Sequence, residues 1–187
     1  MQSKIYFISG VSGVGKSSLI PHLKDLLSPD GFEVHDLDER GVPDDGGRTW
    51  HDNEVRHWID VGNKNATRGV STVICGFAEP EGLARVSQEK DLPIIVCLLD
   101  ASDDTLRARL VGRHTTPQSI AEIERASGKP VSEFIDKMIA DAPLVRDLFV
   151  RNSCTIVGTD NKTPRQIAEE VSIAVLDQEP QKIRTTA

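Results

Sequence analysis

Short apolar segments alternate along the chain with longer segments in which apolar residues recur every three or four positions. The run from Ile94 to Leu99 is continuously apolar, as expected for a strand that is covered on both faces. Alternation of this kind indicates an α/β fold in which helices cover both faces of a parallel sheet. The predicted strands are Ile5–Ser9, Glu33–Leu37, Ser71–Cys75, Pro93–Leu99 and Cys154–Val157.

The helices follow from the same pattern and from their caps. Apolar or small residues line one face of the segment 52–68, which predicts a helix with Trp58 in the core. Thr163 and Pro164 form a cap followed by proline at the first helical position, so the last helix begins there and runs to Leu176. The other helices are predicted over 18–27, 103–112, 118–126 and 132–151. The acidic, glycine-rich segment from Asp38 to Asp52 is a loop long enough to suggest a function.

The length of 187 residues is typical of one domain with a substantial core. We expect a single domain over 1–177, with a substrate-side insertion at about 38–69 and a short lid at about 112–118. The polar residues 178–187 are expected to form a C-terminal tail.

The net charge, the hydropathy and the cysteine positions exclude several classes of function. The net charge of −7 and the lack of a basic run argue against a nucleic acid as partner. No apolar run is long enough to cross a membrane and no signal peptide is recognised, so we expect a cytoplasmic protein. The cysteines Cys75, Cys97 and Cys154 lie in strand-like runs without metal-ligand spacing, which predicts buried, reduced thiols. The oligomeric state, monomer or homodimer, is left open.

The segment from Gly10 to Ser17 has the G-x-x-x-x-G-K-S pattern of a phosphate-binding loop, between the first strand and the first helix. Its glycines let backbone N–H groups point inward, and the following helix N-terminus attracts phosphate oxygens. Lys16 adds a positive charge, and Ser17 is the expected Mg²⁺ ligand. The residues expected to contact a nucleotide here are Gly10, Val11, Ser12, Gly13, Val14, Gly15, Lys16, Ser17 and Ser18.

Acidic residues lie at the end of the second strand, and ligands bind to open parallel sheets at the carboxyl ends of the strands. Asp36 and Asp38 occupy alternate positions, so on an extended chain both would point to the mouth of the sheet. One could accept a proton or steer Mg²⁺, and the other could bind substrate hydroxyls. The alternative is that both are ordinary turn residues. The third strand is followed by Gly76, and no carboxylate lies at its end. Gly76 either permits close approach of a substrate or makes a plain turn.

Three further groups of residues are candidates for the site. Arg109 and Arg113 share the outward face of the helix after the fourth strand, where they either stabilise a transferring phosphoryl group or form a solvated surface. Thr159 lies in a turn that either contacts a base or only caps the last helix. Trp50 and Arg56, around the start of the helix after the acidic loop, are expected to bind substrate.

Taken together, these motifs resemble those of the small P-loop kinases, which include shikimate kinase, gluconate kinase, nucleoside monophosphate kinases and the chloramphenicol phosphotransferase group. The resemblance spans about Lys4 to Leu176. It implies a three-layer P-loop NTPase fold with a five-stranded parallel sheet in the order 2-3-1-4-5. It also implies ATP and Mg²⁺ as cofactors.

The same resemblance suggests a role for each site residue. Asp36 would lie near the metal and the transferred phosphate, and Asp38 would bind acceptor hydroxyls. In the predicted reaction Asp36 would also orient or deprotonate the acceptor. Arg113 would clamp the phosphates, Arg109 would pack on the adenine and Thr159 would line the base.

The sequence therefore predicts an ATP-dependent kinase that phosphorylates a hydroxyl of a small metabolite, nucleoside or antibiotic-like molecule. Adenylate kinases have an arginine after the equivalent of Gly76-Phe77, where this chain has Ala78-Glu79. Because acidic residues surround the expected site, an uncharged or cationic acceptor is favoured. The alternative function is a nucleotide-binding regulatory switch with slow hydrolysis. A polynucleotide kinase is disfavoured by the net charge.

Overall fold

The central strand of the sheet is completely buried, and every residue of β1 (Ile5–Ser9) lies in the interior. The structure is a computed structural model that describes residues 3–43, 47–90 and 93–177. All four strand pairs are parallel, and the order is β2-β3-β1-β4-β5, which confirms the expected topology. The other strands are β2 (Phe32–Asp36), β3 (Ser71–Cys75), β4 (Ile94–Asp100) and β5 (Thr155–Gly158).

Helices cover both faces of the sheet. Successive residues of β1 alternate between two cores, with Tyr6 and Ile8 in one and Ile5 and Phe7 in the other. The described helices are α1 (Lys16–Leu27), α2 (Arg48–Ala66), α3 (Pro80–Lys90), α4 (Asp103–Arg113), α5 (Pro117–Ser127), α6 (Val131–Arg151) and α7 (Pro164–Asp177). The first core includes α1 and α7, and the second includes α2 and α3, so the fold is the predicted three-layer α/β sandwich.

The structure differs from the sequence prediction in the elements around the pocket. Helix α3 was not predicted, because Gly82 weakens its helical propensity and its apolar positions are few. Helix α2 begins at Arg48 instead of 52, which shortens the predicted acidic loop. Residues 44–46 of that loop and the predicted tail 178–187 lie outside the described residues.

The three cysteines are free, and Cys75 and Cys97 are buried as predicted, whereas Cys154 is half-buried. Burial raises the pKa of the Cys75 and Cys97 thiols to about 12 and that of Cys154 to about 11. The thiols therefore stay protonated at neutral pH, which disfavours a nucleophilic role.

No helix among residues 3–43, 47–90 and 93–177 combines the length and the apolar character needed to cross a bilayer.

Gly76 is a packing residue next to the acidic turn. A Cβ atom at this position would lie 2.2 Å from Leu37 Cβ and 2.8 Å from its Cδ2. Leu37 is only 1% exposed and cannot move away. The space that a side chain at position 76 would need is thus filled by Leu37, and substrate contact at Gly76 stays a prediction.

We expect Gly76→Ala to destabilise the fold by about 2 kcal/mol, because the added methyl group overpacks the core against Leu37. Gly82→Ala in α3 is the matched control, since a Cβ there would meet nothing within 4 Å. That control should be neutral or stabilising by up to about 1 kcal/mol. Urea denaturation followed by circular dichroism measures both, and equal effects would contradict the packing role of Gly76.

Candidate active site

The loop from Gly10 to Ser17 connects β1 to α1 and is packed closely against neighbouring elements. Gly10, Gly13 and Gly15 have φ values of +148°, +92° and +105°. A Cβ at Gly13 would lie 2.9 Å from Leu110 Cγ, and one at Gly10 would lie 2.6 Å from the Leu99 carbonyl oxygen. Only glycine combines these backbone angles with such close approach.

The N-terminus of α1 is arranged to accept an anion. The helix begins after Gly15 without a side-chain cap, and its first turn contains no acidic residue. The backbone N–H of Ser18 donates to the Gly15 oxygen (3.1 Å), whereas the N–H groups of Lys16 and Ser17 remain available for phosphate oxygens. Ser17 and Ser18 are exposed there, and the Ser17 hydroxyl group forms no hydrogen bond with any residue in the described ranges.

Lys16 bends back over the loop that precedes it. Its Nζ donates hydrogen bonds to the carbonyl oxygens of Gly10 (2.6 Å) and Val11 (3.0 Å). Burial lowers the pKa of Lys16 to about 8, a shift opposed chiefly by the negative charge of Asp38. Asp36 also raises this pKa, whereas Arg113 lowers it. The structure therefore brings Lys16, Asp36 and Arg113, which were expected near the transferred phosphate, into one cluster with Asp38, which was expected to bind the acceptor.

The acidic pair is held by the residue between its members. Leu37 donates its backbone N–H to the Cys75 oxygen (2.9 Å) and accepts a hydrogen bond from Trp58 Nε1 (3.0 Å). Strand β2 ends at Asp36, one residue earlier than predicted, and Asp38 donates its backbone N–H to Asp36 Oδ1 (3.1 Å). Asp38 thus lies on a turn rather than on an extended strand.

The pKa of Asp38 is raised by burial, by Asp36 and by Glu54, while Lys16 and His51 lower it. Glu54 is only 7% exposed, and its Oε1 accepts a hydrogen bond from Arg40 (3.3 Å). Its other oxygen has no hydrogen-bond partner in the described structure. Sequence analysis missed Glu54, because the predicted inward face of α2 was defined by apolar residues. The actual buried face includes Glu54 and Asn65.

Arg109 and Thr159 come together on the other side of the phosphate loop. Arg109 donates hydrogen bonds to the Val14 oxygen (3.1 Å), Thr159 Oγ1 (2.9 Å) and the Thr159 oxygen (2.8 Å). Thr159 is fully buried. One guanidinium group therefore ties α4 to the phosphate loop and to the loop before α7.

Asp160 fixes the same loop to the start of α4. Its carboxylate accepts hydrogen bonds from the backbone and the hydroxyl group of Ser102 and from the Thr105 hydroxyl. These hydrogen bonds hold the pKa of Asp160 at about 2. A polar anchor therefore positions Thr159 for its contact with Arg109.

Arg113 occupies the last turn of α4, at the predicted lid. Helix α4 ends at Arg113 and α5 begins at Pro117, so most of the segment 112–118 belongs to helix ends and only residues 114–116 connect them. The Thr116 side chain caps α5 by a reciprocal pair of hydrogen bonds with Ser119. A lid movement stays a prediction.

A pocket of about 600 Å³ lies between α2 and α3. His51 connects it to the acidic turn, because His51 lines the pocket and also lowers the pKa of Asp38. Its Nε2 donates a hydrogen bond to the Phe77 oxygen (2.7 Å). Ser9, at the end of β1, exchanges hydrogen bonds of 3.0 Å with the backbone of Ala78 in the pocket wall. The pocket therefore adjoins both the acidic pair and the strand that leads into the phosphate loop.

Of the four predicted substrate residues, Asp38, Trp50, Arg56 and Gly76, only Arg56 lines the pocket. Arg56 lines it, whereas Trp50 is a half-buried residue in the first turn of α2, not before the helix as expected, and is not part of the lining. The remaining lining residues, which sequence analysis did not assign to a substrate site, are Arg48, His51, Asp52, Val55, Phe77, Ala78, Glu79, Gly82, Leu83, Arg85 and Val86.

Comparison with solved structures identifies the fold. A shikimate kinase from Acinetobacter baumannii superimposes with a TM-score of 0.58 at 16% identity, with 94% of each chain covered. The chain has the small P-loop kinase fold. A sugar kinase from a Janibacter species gives a TM-score of 0.58 at 19% identity, covering 95% of this chain and 96% of the other. A tunicamycin resistance protein from Deinococcus radiodurans gives 0.59 at 18%, covering 92% and 95%.

No protein-family model matches the chain, and no curated protein matches its sequence. The resemblance to small P-loop kinases that the sequence predicts is confirmed by the similarity of the fold to these solved structures.

We expect Lys16→Met to raise the melting temperature of the nucleotide-free protein at pH 7, because it removes a charge whose burial is unfavourable. The pKa is lowered in the folded state, so the cost of the charge is present below pH 8 and is relieved as the pH rises towards the unfolded-state value of 10.5. The stability advantage of the variant should accordingly shrink above about pH 8.

Lys24→Met, on the exposed side of α1, is the control and should not raise the melting temperature. Differential scanning fluorimetry between pH 6 and pH 10 measures both variants. A Lys16→Met protein less stable than the parent at pH 7 would show that the two carbonyl hydrogen bonds outweigh the cost of burial.

Proposed function

We propose that the protein is an ATP- and Mg²⁺-dependent kinase that transfers the γ-phosphate to a hydroxyl group of a small molecule. The observation that carries this proposal is the position of Lys16, Asp36 and Asp38 within one electrostatic cluster, next to the pocket between α2 and α3. A phosphate-binding element, a pair of carboxylates and an acceptor-sized cavity are the parts that phosphoryl transfer requires.

On this proposal the chain's own residues bind and orient the two substrates. The loop amides and Lys16 hold the nucleotide phosphates, and Arg113 balances the charge of the phosphoryl group in transit. Lys16 now bonds to the Gly10 and Val11 carbonyls, and phosphate oxygens would replace these partners. Anionic phosphates would also raise its pKa and keep the ammonium charged.

The two carboxylates have different tasks in the proposed reaction. Asp38, whose raised pKa makes it a better proton acceptor, binds the acceptor hydroxyl group and takes up its proton. Asp36 is assigned to the metal together with Ser17, and it also orients the acceptor turn through its hydrogen bond with Asp38. His51 lies where it can contact both the acceptor and Asp38.

The residues present fit Mg²⁺ as a hard cation. A hydroxyl group and a carboxylate are suitable oxygen ligands, and magnesium commonly binds through one or two carboxylates plus substrate phosphates. Within the described ranges, no cluster of three or more histidine, cysteine or carboxylate side chains could hold a metal by itself. When bound, the ion would neutralise negative charge on the phosphates.

The adenine side of the site is assigned to Arg109 and Thr159. Their hydrogen bonds fix the guanidinium plane before any nucleotide binds. A planar group held in this way can stack on a base without further loss of side-chain entropy.

Asp36→Asn should reduce turnover by about a hundredfold or more, because a neutral amide can replace neither the metal ligand nor the negative charge. The affinity for ATP should change by less than about threefold, since the loop and Lys16 supply most of the phosphate contacts. ADP production over a panel of hydroxyl compounds and displacement of a fluorescent nucleotide measure the two quantities. Asp25→Asn, on the exposed side of α1, is the control.

Unchanged turnover in Asp36→Asn would remove Asp36 from the mechanism. ATP hydrolysis that no member of the panel accelerates, with no phosphorylated product, would instead support a nucleotide-dependent switch and would contradict the proposed kinase.

Arg109→Lys should weaken ATP binding by about tenfold, because a single ammonium group cannot reproduce the three hydrogen bonds of the guanidinium fork. Arg107→Lys is the matched control, since Arg107 lies on the same helix but pairs with Asp136 on α6. Isothermal titration calorimetry with ATP measures both. Equal affinities of the two variants for ATP would contradict the assignment of Arg109 to nucleotide binding.

A further inference from the structure

Glu39 binds the backbone of Asp36 at both of its polar groups. Glu39 Oε2 accepts a hydrogen bond from the Asp36 backbone N–H (3.2 Å), and the Glu39 backbone N–H donates to the Asp36 oxygen (3.2 Å). Glu39 follows Asp36 by three residues, so the two hydrogen bonds close a compact turn at the end of β2. One residue therefore fixes the backbone of the carboxylate that is assigned to the metal.

The sheet topology leaves the Asp36 N–H without a strand partner. Strand β2 lies at the edge of the sheet and pairs with β3 on one side only. The next residue, Leu37, donates its N–H to the Cys75 oxygen at the end of β3, so the Asp36 N–H faces the open side. The Glu39 side chain supplies the acceptor that a neighbouring strand would supply inside a sheet.

A histidine orients the Glu39 carboxylate. His35 Nδ1 donates a hydrogen bond to Glu39 Oε1 (3.0 Å), because an ionised carboxylate can only accept. The His35 ring stacks on Trp58, with 4.5 Å between the ring centroids and 28° between the ring planes. Trp58 is only 4% exposed, and its Nε1 donates to the Leu37 oxygen. The ring that orients Glu39 is thus held against the core.

A second carboxylate lies near His35 but does not reach the acidic turn. Glu33 Oε2 lies 3.6 Å from His35 Nε2 and accepts a hydrogen bond from Asn65 Nδ2 (2.7 Å). Glu33 Oε1 accepts one from Arg68 (3.1 Å), beyond the end of α2. Glu39 is therefore the carboxylate through which His35 is connected to Asp36.

These contacts limit the positions that the Asp36 carboxylate can adopt. Its Oδ1 accepts the Asp38 backbone N–H (3.1 Å), and its Oδ2 forms no hydrogen bond within the described residues. Because the backbone is fixed and one oxygen is occupied, the other oxygen keeps a defined direction for a ligand. Such order affects rates, since a displacement of about 1 Å at a reacting centre can cost about a hundredfold.

We infer that Glu39, oriented by His35, is a positioning residue for Asp36. This inference rests on the proposed kinase function and adds to it two residues that act through Asp36. Glu39 keeps the Asp36 carboxylate in place while the nucleotide and the metal bind. Loss of Glu39 should therefore affect turnover more than the binding of either substrate.

The hydrogen bond itself is tested first, without any substrate. Residue-resolved amide hydrogen exchange, measured by NMR on nitrogen-15-labelled protein, should show protection of the Asp36 N–H. In Glu39→Ala this N–H should exchange at least about tenfold faster, whereas Glu39→Gln keeps an oxygen acceptor and should keep most of the protection. Glu169→Ala is the matched control, because Glu169 is also an exposed glutamate that pairs with a residue four positions away, Arg165.

The role in turnover is tested with an acceptor that supports ADP production. Glu39→Ala should lower kcat by about tenfold, with KM for ATP and for the acceptor changed less than about threefold. Glu39→Gln should keep kcat within about threefold of the parent value, since its amide oxygen can accept from the Asp36 N–H. Glu39 is exposed, so neither change should unfold the protein, which circular dichroism and the stoichiometry of nucleotide binding check.

A double-mutant cycle tests whether His35 acts through Glu39. His35→Phe keeps a ring on Trp58 and removes the N–H donor, so it should lower kcat less than Glu39→Ala does. The variant that carries both changes should have the kcat of Glu39→Ala alone. Additive losses of kcat would overturn the role of His35.

The outcomes separate this inference from the proposed function. An unprotected Asp36 N–H in the parent protein would overturn the inference, as would an unchanged kcat in Glu39→Ala, and both results would leave the kinase proposal in place. If no acceptor is phosphorylated although Glu39 protects the Asp36 N–H, the kinase proposal is overturned, and the role of Glu39 in turnover is overturned with it.

Discussion

The site depends on a buried ammonium group. Lys16 lies at the start of α1, and its ammonium group lies against the loop that precedes it, where water cannot solvate the charge well. Two carbonyl oxygens of this loop and the carboxylates of Asp36 and Asp38, at the end of β2, compensate for the lost water. The sheet order makes this possible, because it places the ends of β1 and β2 at one edge with β3 between them. The phosphate loop and the acidic turn at the end of β2 therefore interact through the charge of Lys16.

The features that sequence analysis predicted are those for which the signal lies in residues that are close together in the sequence. The alternation of apolar runs and helical segments predicts a parallel sheet, and the loop pattern places phosphate binding at the N-terminus of α1. Asp36 and Asp38 were identified because they are close together in sequence. The strand order came from the family resemblance, since alternation alone allows other orders.

The rest depends on contacts between residues that are far apart in sequence. The pocket combines residues 48–56 with residues 77–86, and neither segment shows a recognisable motif. Glu54 is a polar residue on a buried helix face, so a search for apolar spacing passed over it. The packing role of Gly76 has no signal in the sequence, because it depends on the position of Leu37. In each case the prediction required knowledge of a residue that is a neighbour in the folded structure but not in the sequence.

The two faces of the sheet have unequal freedom to change during evolution. Helices α1 and α7 pack on one face, whereas α2 and α3, which form the pocket walls, pack on the other. In the proposed kinase, surface substitutions on α2 and α3 would therefore alter which acceptor is bound without disturbing the core beneath the phosphate loop. On that proposal, a gene duplicate would acquire a new substrate through a few changes on these two helices while retaining the same phosphate donor.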